Sequence, residues 1–160
     1  MTSTDSSVKQ SSKEPLETLV EETDALTALL ITKQGTVINE AGRTESLNTT
    51  AMAALVAGMF SATREVARMV GEKQFSILLQ QGETRHIHIS LVTDSAMMVV
   101  VFEDNQRIGR VRYAAKKAGE SLAQILTEES EKPATHTDLS VPQFKEYALN
   151  LIDQIFTTSK

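Results

Sequence analysis

The chain has 160 residues, 41% of them hydrophobic and 23% charged, with a net charge of −5, the make-up of one ordinary globular domain with tails. There is no Cys or Trp, with only five Phe and two Tyr, which excludes thiol nucleophiles, disulfides and thiolate metal sites and predicts an aliphatic core with few base-stacking surfaces. The first residues carry no apolar run that would make a signal peptide, and no stretch approaches the roughly 20 apolar residues of a membrane span, so a cytoplasmic protein without membrane insertion is expected.

Residues 1–14 are rich in Ser and Thr, with only Met1 and Val8 apolar, and read as a disordered arm. Order is expected from Pro15, with a short helix carrying Leu16, Leu19 and Val20 on one side. Two strands follow, around ALTALLITK and TVINEAG, joined by a tight turn at Gln34 and Gly35. Asn48, Thr49 and Thr50 then offer N-cap chemistry, and Gly71 a stop after Val70, bracketing a long helix. Its apolar residues, among them Met52, Leu55, Val56, Met59, Phe60, Val66 and Met69, cover about half the circumference. One sheet contact needs less, so this helix is expected to touch a sheet and a second helix. The opposite arc holds Ala54, Ala57, Gly58, Ser61, Arg64, Glu65 and Arg68.

Three further strands are expected at FSILLQQ, TRHIHISLVT and AMMVVVFED, with turns at Gly82–Glu83 and Asp94–Ser95. Residues 96–102 are continuously apolar, which places that strand centrally. A loop, NQRIG, leads into a helix on which Val111, Ala114, Ala115, Ala118, Leu122, Ile125 and Leu126 recur at helical spacing. Residues 128–140 are polar, contain Pro133 and read as a linker. Beyond it, Ser140 and Gln143 match a capping box, and Phe144, Tyr147, Ala148, Leu151, Ile152 and Ile155 form the apolar stripe of an amphipathic helix over 141–157. The charge is uneven: residues 128–160 carry six acids and three bases, whereas Arg107, Arg110, Arg112, Lys116 and Lys117 form a basic cluster. An acidic chain with one such cluster is not a general nucleic-acid binder.

Catalytic signals are weak. The glycines fit neither a dinucleotide fingerprint nor a phosphate loop, and no Ser sits in a nucleophile elbow. His86 and His88 alternate and so share one face of a strand, but nothing near them supplies a third metal ligand; exposed or half-covered histidines are expected, with no metal and no cofactor. Arg64, Glu65 and Arg68 read either as a solvated, charge-paired helix face or as a partner contact. Arg64, Arg68, Arg107 and Arg110 are each candidates for an arginine finger, and no spacing singles one out.

ALLITKQGTVINEAG, NTTAMAALVAGMFSATREVARMVGE and FSILLQQGETRHIHISLVTDSAMMVVVFEDNQRIGRVR together resemble the roadblock family of dynein-light-chain type, in its bacterial gliding-motility branch, over residues 15–127. The resemblance implies an α+β fold, a profilin-like or longin-like sandwich. Its five-stranded, mostly antiparallel sheet would have the long helix on one face and the other helices opposite. It implies a homodimer through the long helix and the edge strand 75–81, with Met52, Leu55, Met59, Phe75, Ile77 and Leu79 as contacts. It further implies that the dimer binds a small Ras-like GTPase, in cell polarity or motility, and activates hydrolysis without inserting an arginine or using catalytic residues of its own. Carried onto this sequence, the GTPase-facing positions are Ala54, Gly58, Ser61, Glu65 and Arg68. C-terminal extensions in the family contact the GTPase, which suggests a similar role for Phe144, Leu151 and Ile155. Two alternatives stand beside this reading: a non-activating roadblock scaffold or adaptor, and a small-molecule sensor with an internal polar pocket.

Overall fold

Unbroken and alternating apolar runs decide the sheet. In the computed structural model, which describes residues 3–131, β1 (Thr27–Thr32), β2 (Val37–Gly42), β3 (Ile77–Gln81), β4 (His86–Thr93) and β5 (Ala96–Phe102) form one five-stranded sheet in the order β2-β1-β5-β4-β3. Every neighbouring pair is antiparallel. β5 is buried along its whole length and lies in the middle, as its continuous apolar run demands. β2 and β3 are the edges. Three helices complete the domain: α1 (Ser3–Thr23), α2 (Thr49–Met69) and α3 (Ile108–Glu131).

Alternate residues of the strands feed two separate cores. Leu29, Ile31, Ile89, Met97 and Val99 meet Ala53, Val56, Ala57 and Phe60 of α2. Ala28, Leu30, Met98, Val100 and Phe102 face the other way, toward Leu16 and Leu19 of α1 and Val111, Ala114, Ala118 and Leu122 of α3. The architecture is therefore α+β, with the long helix on one face of an antiparallel sheet and two helices on the other. α1 and α3 run antiparallel: Ser7 Oγ near the start of α1 donates to Glu129 Oε1 near the end of α3 (2.8 Å), while Arg107 Nη1, just before α3, donates to the Thr23 carbonyl (3.3 Å).

α2 begins and ends where its sequence chemistry says it should. Asn48 Oδ1 accepts from the Ala51 N–H at 3.0 Å. Gly71 adopts φ +86°, its N–H reaches the Arg68 carbonyl at 3.1 Å, and the Glu72 N–H reaches the Ala67 carbonyl at 2.9 Å, the paired bonds of a Schellman stop. The β1–β2 turn lies against this helix. Gly35, at φ +96°, leaves no room for a side chain, since a Cβ there would stand 2.9 Å from the Ala54 Cα.

Two expectations need correction. The stretch read as a disordered arm is helical from Ser3, continuous with the short helix expected after Pro15. Its buried stripe is Val8, Ser12, Leu16, Leu19 and Thr23, at helical spacing but with two polar members. Asn39 on β2 satisfies the first of these, donating from Nδ2 to Ser12 Oγ (2.9 Å) and to the Lys9 carbonyl (2.6 Å); Thr23 Oγ1 donates to the Leu19 carbonyl (2.7 Å). Pro15 lies inside the helix, where the full burial of Leu16 beside it compensates a missing backbone bond. At the other end, residues 128–131 of the expected linker continue α3. The remainder of that linker and the amphipathic segment 141–157 lie outside the described residues. The NQR of the expected loop forms a 3-10 turn, Asn105–Arg107, capped by Asp104.

Candidate functional site

α2 presents three parallel stripes, because positions separated by alternate steps of three and four residues fall in line on a helix. Ala53, Val56, Phe60 and Ala67 form the inner stripe, and all are buried against the sheet. Met52, Leu55, Met59, Ala62, Val66 and Met69 form a second. Met52 and Met59 are half-buried, but Leu55 is 74% exposed, Val66 53% and Met69 85%, and Val70 extends the row at 67%. This is the spacing of a coiled-coil seam. Exposing so many large apolar side chains in one line is unfavourable for an isolated domain and marks an interaction surface.

Ala54, Gly58, Ser61, Glu65 and Arg68 form the third stripe, and every one is exposed. Its first half is small, and a Cβ at Gly58 would meet nothing within 4 Å, so a partner backbone can approach closely there. Its second half carries an ion pair, Arg68 Nη1 to Glu65 Oε1 at 3.0 Å, with both side chains solvated. Such a pair adds at most about 0.5 kcal/mol to the fold. Ala57, assigned to this outer arc from the sequence, is buried at 7% exposure, next to the space that a Gly35 side chain would occupy.

The six expected dimer contacts do not share one face. Met52, Leu55 and Met59 lie along the second stripe of α2. Ile77 and Leu79 alternate on β3 and face away from α2, Leu79 packing against the core under α1 and α3. The β3 side chains on the α2 side are instead Leu78, which joins that core, and Gln80, whose Nε2 donates to Met59 Sδ at 3.0 Å. Phe75, half-buried, precedes β3. What β3 itself offers a second chain is the unpaired backbone of a sheet edge. Val66, Met69 and Val70 belong to the exposed apolar row as well; the sequence marked them as apolar, but only burial separates them from Phe60. Phe144, Leu151 and Ile155 lie outside the described residues.

His86 and His88 do share a face, but the expectation of exposed or half-covered rings is overturned: they are 3% and 1% exposed, on the side of the sheet covered by α1 and α3. Burial, and after it the Arg112 charge on α3, pushes the His88 pKa below its ordinary value of 6.5. Among the described residues no group of three or more His, Asp or Glu converges as a metal site would require. Part of the basic cluster is paired, Lys117 Nζ with Glu22 Oε1 of α1 at 3.3 Å, which ties α3 to α1, and Arg107 Nε locally with Asp104 at 3.4 Å. On α2, Thr63 Oγ1 donates to the Phe60 carbonyl at 2.7 Å.

An antiparallel five-stranded sheet between one long helix and a helix pair, with its conspicuous groups arranged on an outer surface, defines a roadblock-type regulatory domain. Residues 12–102 match the Roadblock/LC7 domain model, and the chain belongs to that family. Among solved structures it is similar to the Thermus thermophilus gliding protein MglB, at 31% identity and TM-score 0.72 over 76% of this chain and 92% of that one. It is also similar to an MglB with a tetrameric arrangement (30%, TM-score 0.73, 76% and 92%) and to Myxococcus xanthus MglB (28%, TM-score 0.70, 73% and 95%). Schizosaccharomyces pombe profilin, at 12% identity and TM-score 0.52 over 71% and 97%, shares the fold alone. No curated protein matches the chain. Among the described residues no helix is long and apolar enough to cross a membrane.

Proposed function

We propose that this protein is a homodimeric, MglB-like regulator that binds a small Ras-like GTPase of cell polarity or motility and activates its hydrolysis. The observation that carries the reading is the pair of exposed stripes on α2, one apolar and seam-like, the other small and then charged. In a two-fold dimer the apolar stripes pack on each other. Ala62, midway between Leu55 and Met69, is the smallest member and allows the closest approach of the two helices. The relative in a tetrameric arrangement supports self-association in this branch. The stripe of Ala54, Gly58, Ser61, Glu65 and Arg68 then stays free on the outside of the helix pair and receives the GTPase.

The mechanism is one of selection among GTPase conformations. The regulator binds the hydrolysis-competent arrangement of the switch segments more tightly than the others and raises its population; no bond is made or broken by this chain. Phe144, Leu151 and Ile155 supply a further contact to the same partner. The test is single-turnover GTP hydrolysis with saturating regulator, alongside binding affinity. Faster turnover is expected. Gly58→Arg should abolish both binding and acceleration while leaving the dimer intact, because it fills the open approach. Binding with unchanged turnover would make the protein a scaffold instead.

A further inference from the structure

The two edges of the sheet are not equally open. Along β3, the Gly82 N–H donates to the Arg85 carbonyl at 3.0 Å and the Leu91 N–H to the Ser76 carbonyl at 2.9 Å. Ladder bonds alternate along an antiparallel pair, so the backbone groups of Ile77, Leu79 and Gln81 point away from β4. Among the described residues none of them has a partner, and β3 is a bare edge. Along β2, the Arg43 N–H donates to the Leu26 carbonyl at 2.7 Å, and the same alternation turns the N–H and carbonyl of Glu40, opposite Leu29, outward. Both are already taken. The Glu40 N–H donates to Asn39 Oδ1 at 2.8 Å, and its carbonyl accepts from Lys13 Nζ of α1.

The rest of this edge is short. The ladder with β1 skips Ile38 at a bulge, which interrupts the row near its start, and Gly42, at φ +88°, ends it. Glu40 is therefore where a further strand would dock. Its cover belongs to α1: the buried Asn39 donates from Nδ2 to Ser12 Oγ and the Lys9 carbonyl while its Oδ1 holds the Glu40 N–H, and Lys13 follows Ser12 directly. One side chain thus fastens the first half of α1 and blocks the strand edge, and a bare edge recruits other strands. We propose that the N-terminal half of α1 is an assembly stop, which through Lys13 and Asn39 denies the β2 edge to a second copy of this chain. In a homodimer that joins the β3 edges, both ends of the continuous sheet are β2. Left uncovered they would pair dimer to dimer, and growth would continue because each added dimer presents a new β2 edge. That consequence rests on the homodimer reading; the plug at Glu40 does not.

The test is sedimentation of the full-length protein over a concentration series. Lys13→Ala combined with Asn39→Ala frees both Glu40 groups, and the mean mass should climb with concentration to at least about twice that of wild type, as the joining of two such particles requires. Asn39→Ala also loosens α1, so Ser12→Ala is the control: it loses a contact of the same side chain, keeps both covers of Glu40 and should sediment as wild type does. Adding Glu40→Pro to the double variant removes the outward N–H, which an edge position tolerates, and should return the mass to the wild-type value. A double variant that stays at wild-type size, growth in Ser12→Ala, or growth that Glu40→Pro does not suppress would each overturn the proposal. Every comparison is with wild type, so a monomeric wild type would remove the homodimer reading alone.

Discussion

The two faces of the sheet are covered by different means. On one side α1 and α3 lie antiparallel, tied by side-chain bonds at both ends, and even the buried Ser12 and Thr23 have partners. On the other side α2 stands alone, its inner stripe buried and two stripes left facing outward. A helix pair shields its own flanks, whereas a lone helix seals its sheet and still exposes two thirds of its circumference. The helix-pair face therefore completes the domain, whereas the α2 face leaves a row of large apolar side chains open to solvent.

Five measurements sharpen or break that contrast. The largest effect should come from Phe60→Ala, which empties the centre of the α2 core and should cost about 3–5 kcal/mol in denaturant unfolding. Leu55→Ala, one turn away but exposed, should leave monomer stability within about 0.5 kcal/mol and weaken self-association in sedimentation; equal losses for the two would dissolve the distinction between stripes. On the opposite face, Asn39→Ala removes the donor that holds Ser12 and the Lys9 carbonyl, and should cost about 1–3 kcal/mol with faster hydrogen exchange in the first turns of α1.

A pH series follows. His88 is held neutral, so between its lowered pKa and the ordinary 6.5 the unfolded chain binds a proton that the native chain does not. Stability should accordingly fall as pH drops below about 6.5, and His88→Gln should flatten that part of the curve. Smallest of all, Glu65→Gln breaks an exposed ion pair on the outer stripe and should change stability by less than about 0.5 kcal/mol. A larger loss would show that this stripe supports the fold.

Much of this was legible in advance, for local reasons. The caps of α2 sit where Asn48 and Gly71 place them, and β5 is central because seven consecutive buried residues cannot lie at an edge. β3 was read as an edge, and it is one. Less legible was α1, whose first half buries a serine that only Asn39, 27 residues later, can satisfy. Composition saw polar residues and inferred disorder, because a hydrogen bond across the fold leaves no periodic trace. The histidines show the same gap: alternation put both rings on one face but could not say that helices cover it.

The sequence by itself determined the strands, α2 with its caps, the central strand and the family, since propensity, periodicity and turn chemistry act within a few residues. The tertiary structure alone decided which apolar residues of α2 are core and which are surface, and which face of the sheet Ile77 and Leu79 serve. It also decided that His88 lies buried beside Arg112. Burial is a property of what comes to lie opposite a side chain, and in this domain that neighbour is often dozens of residues away.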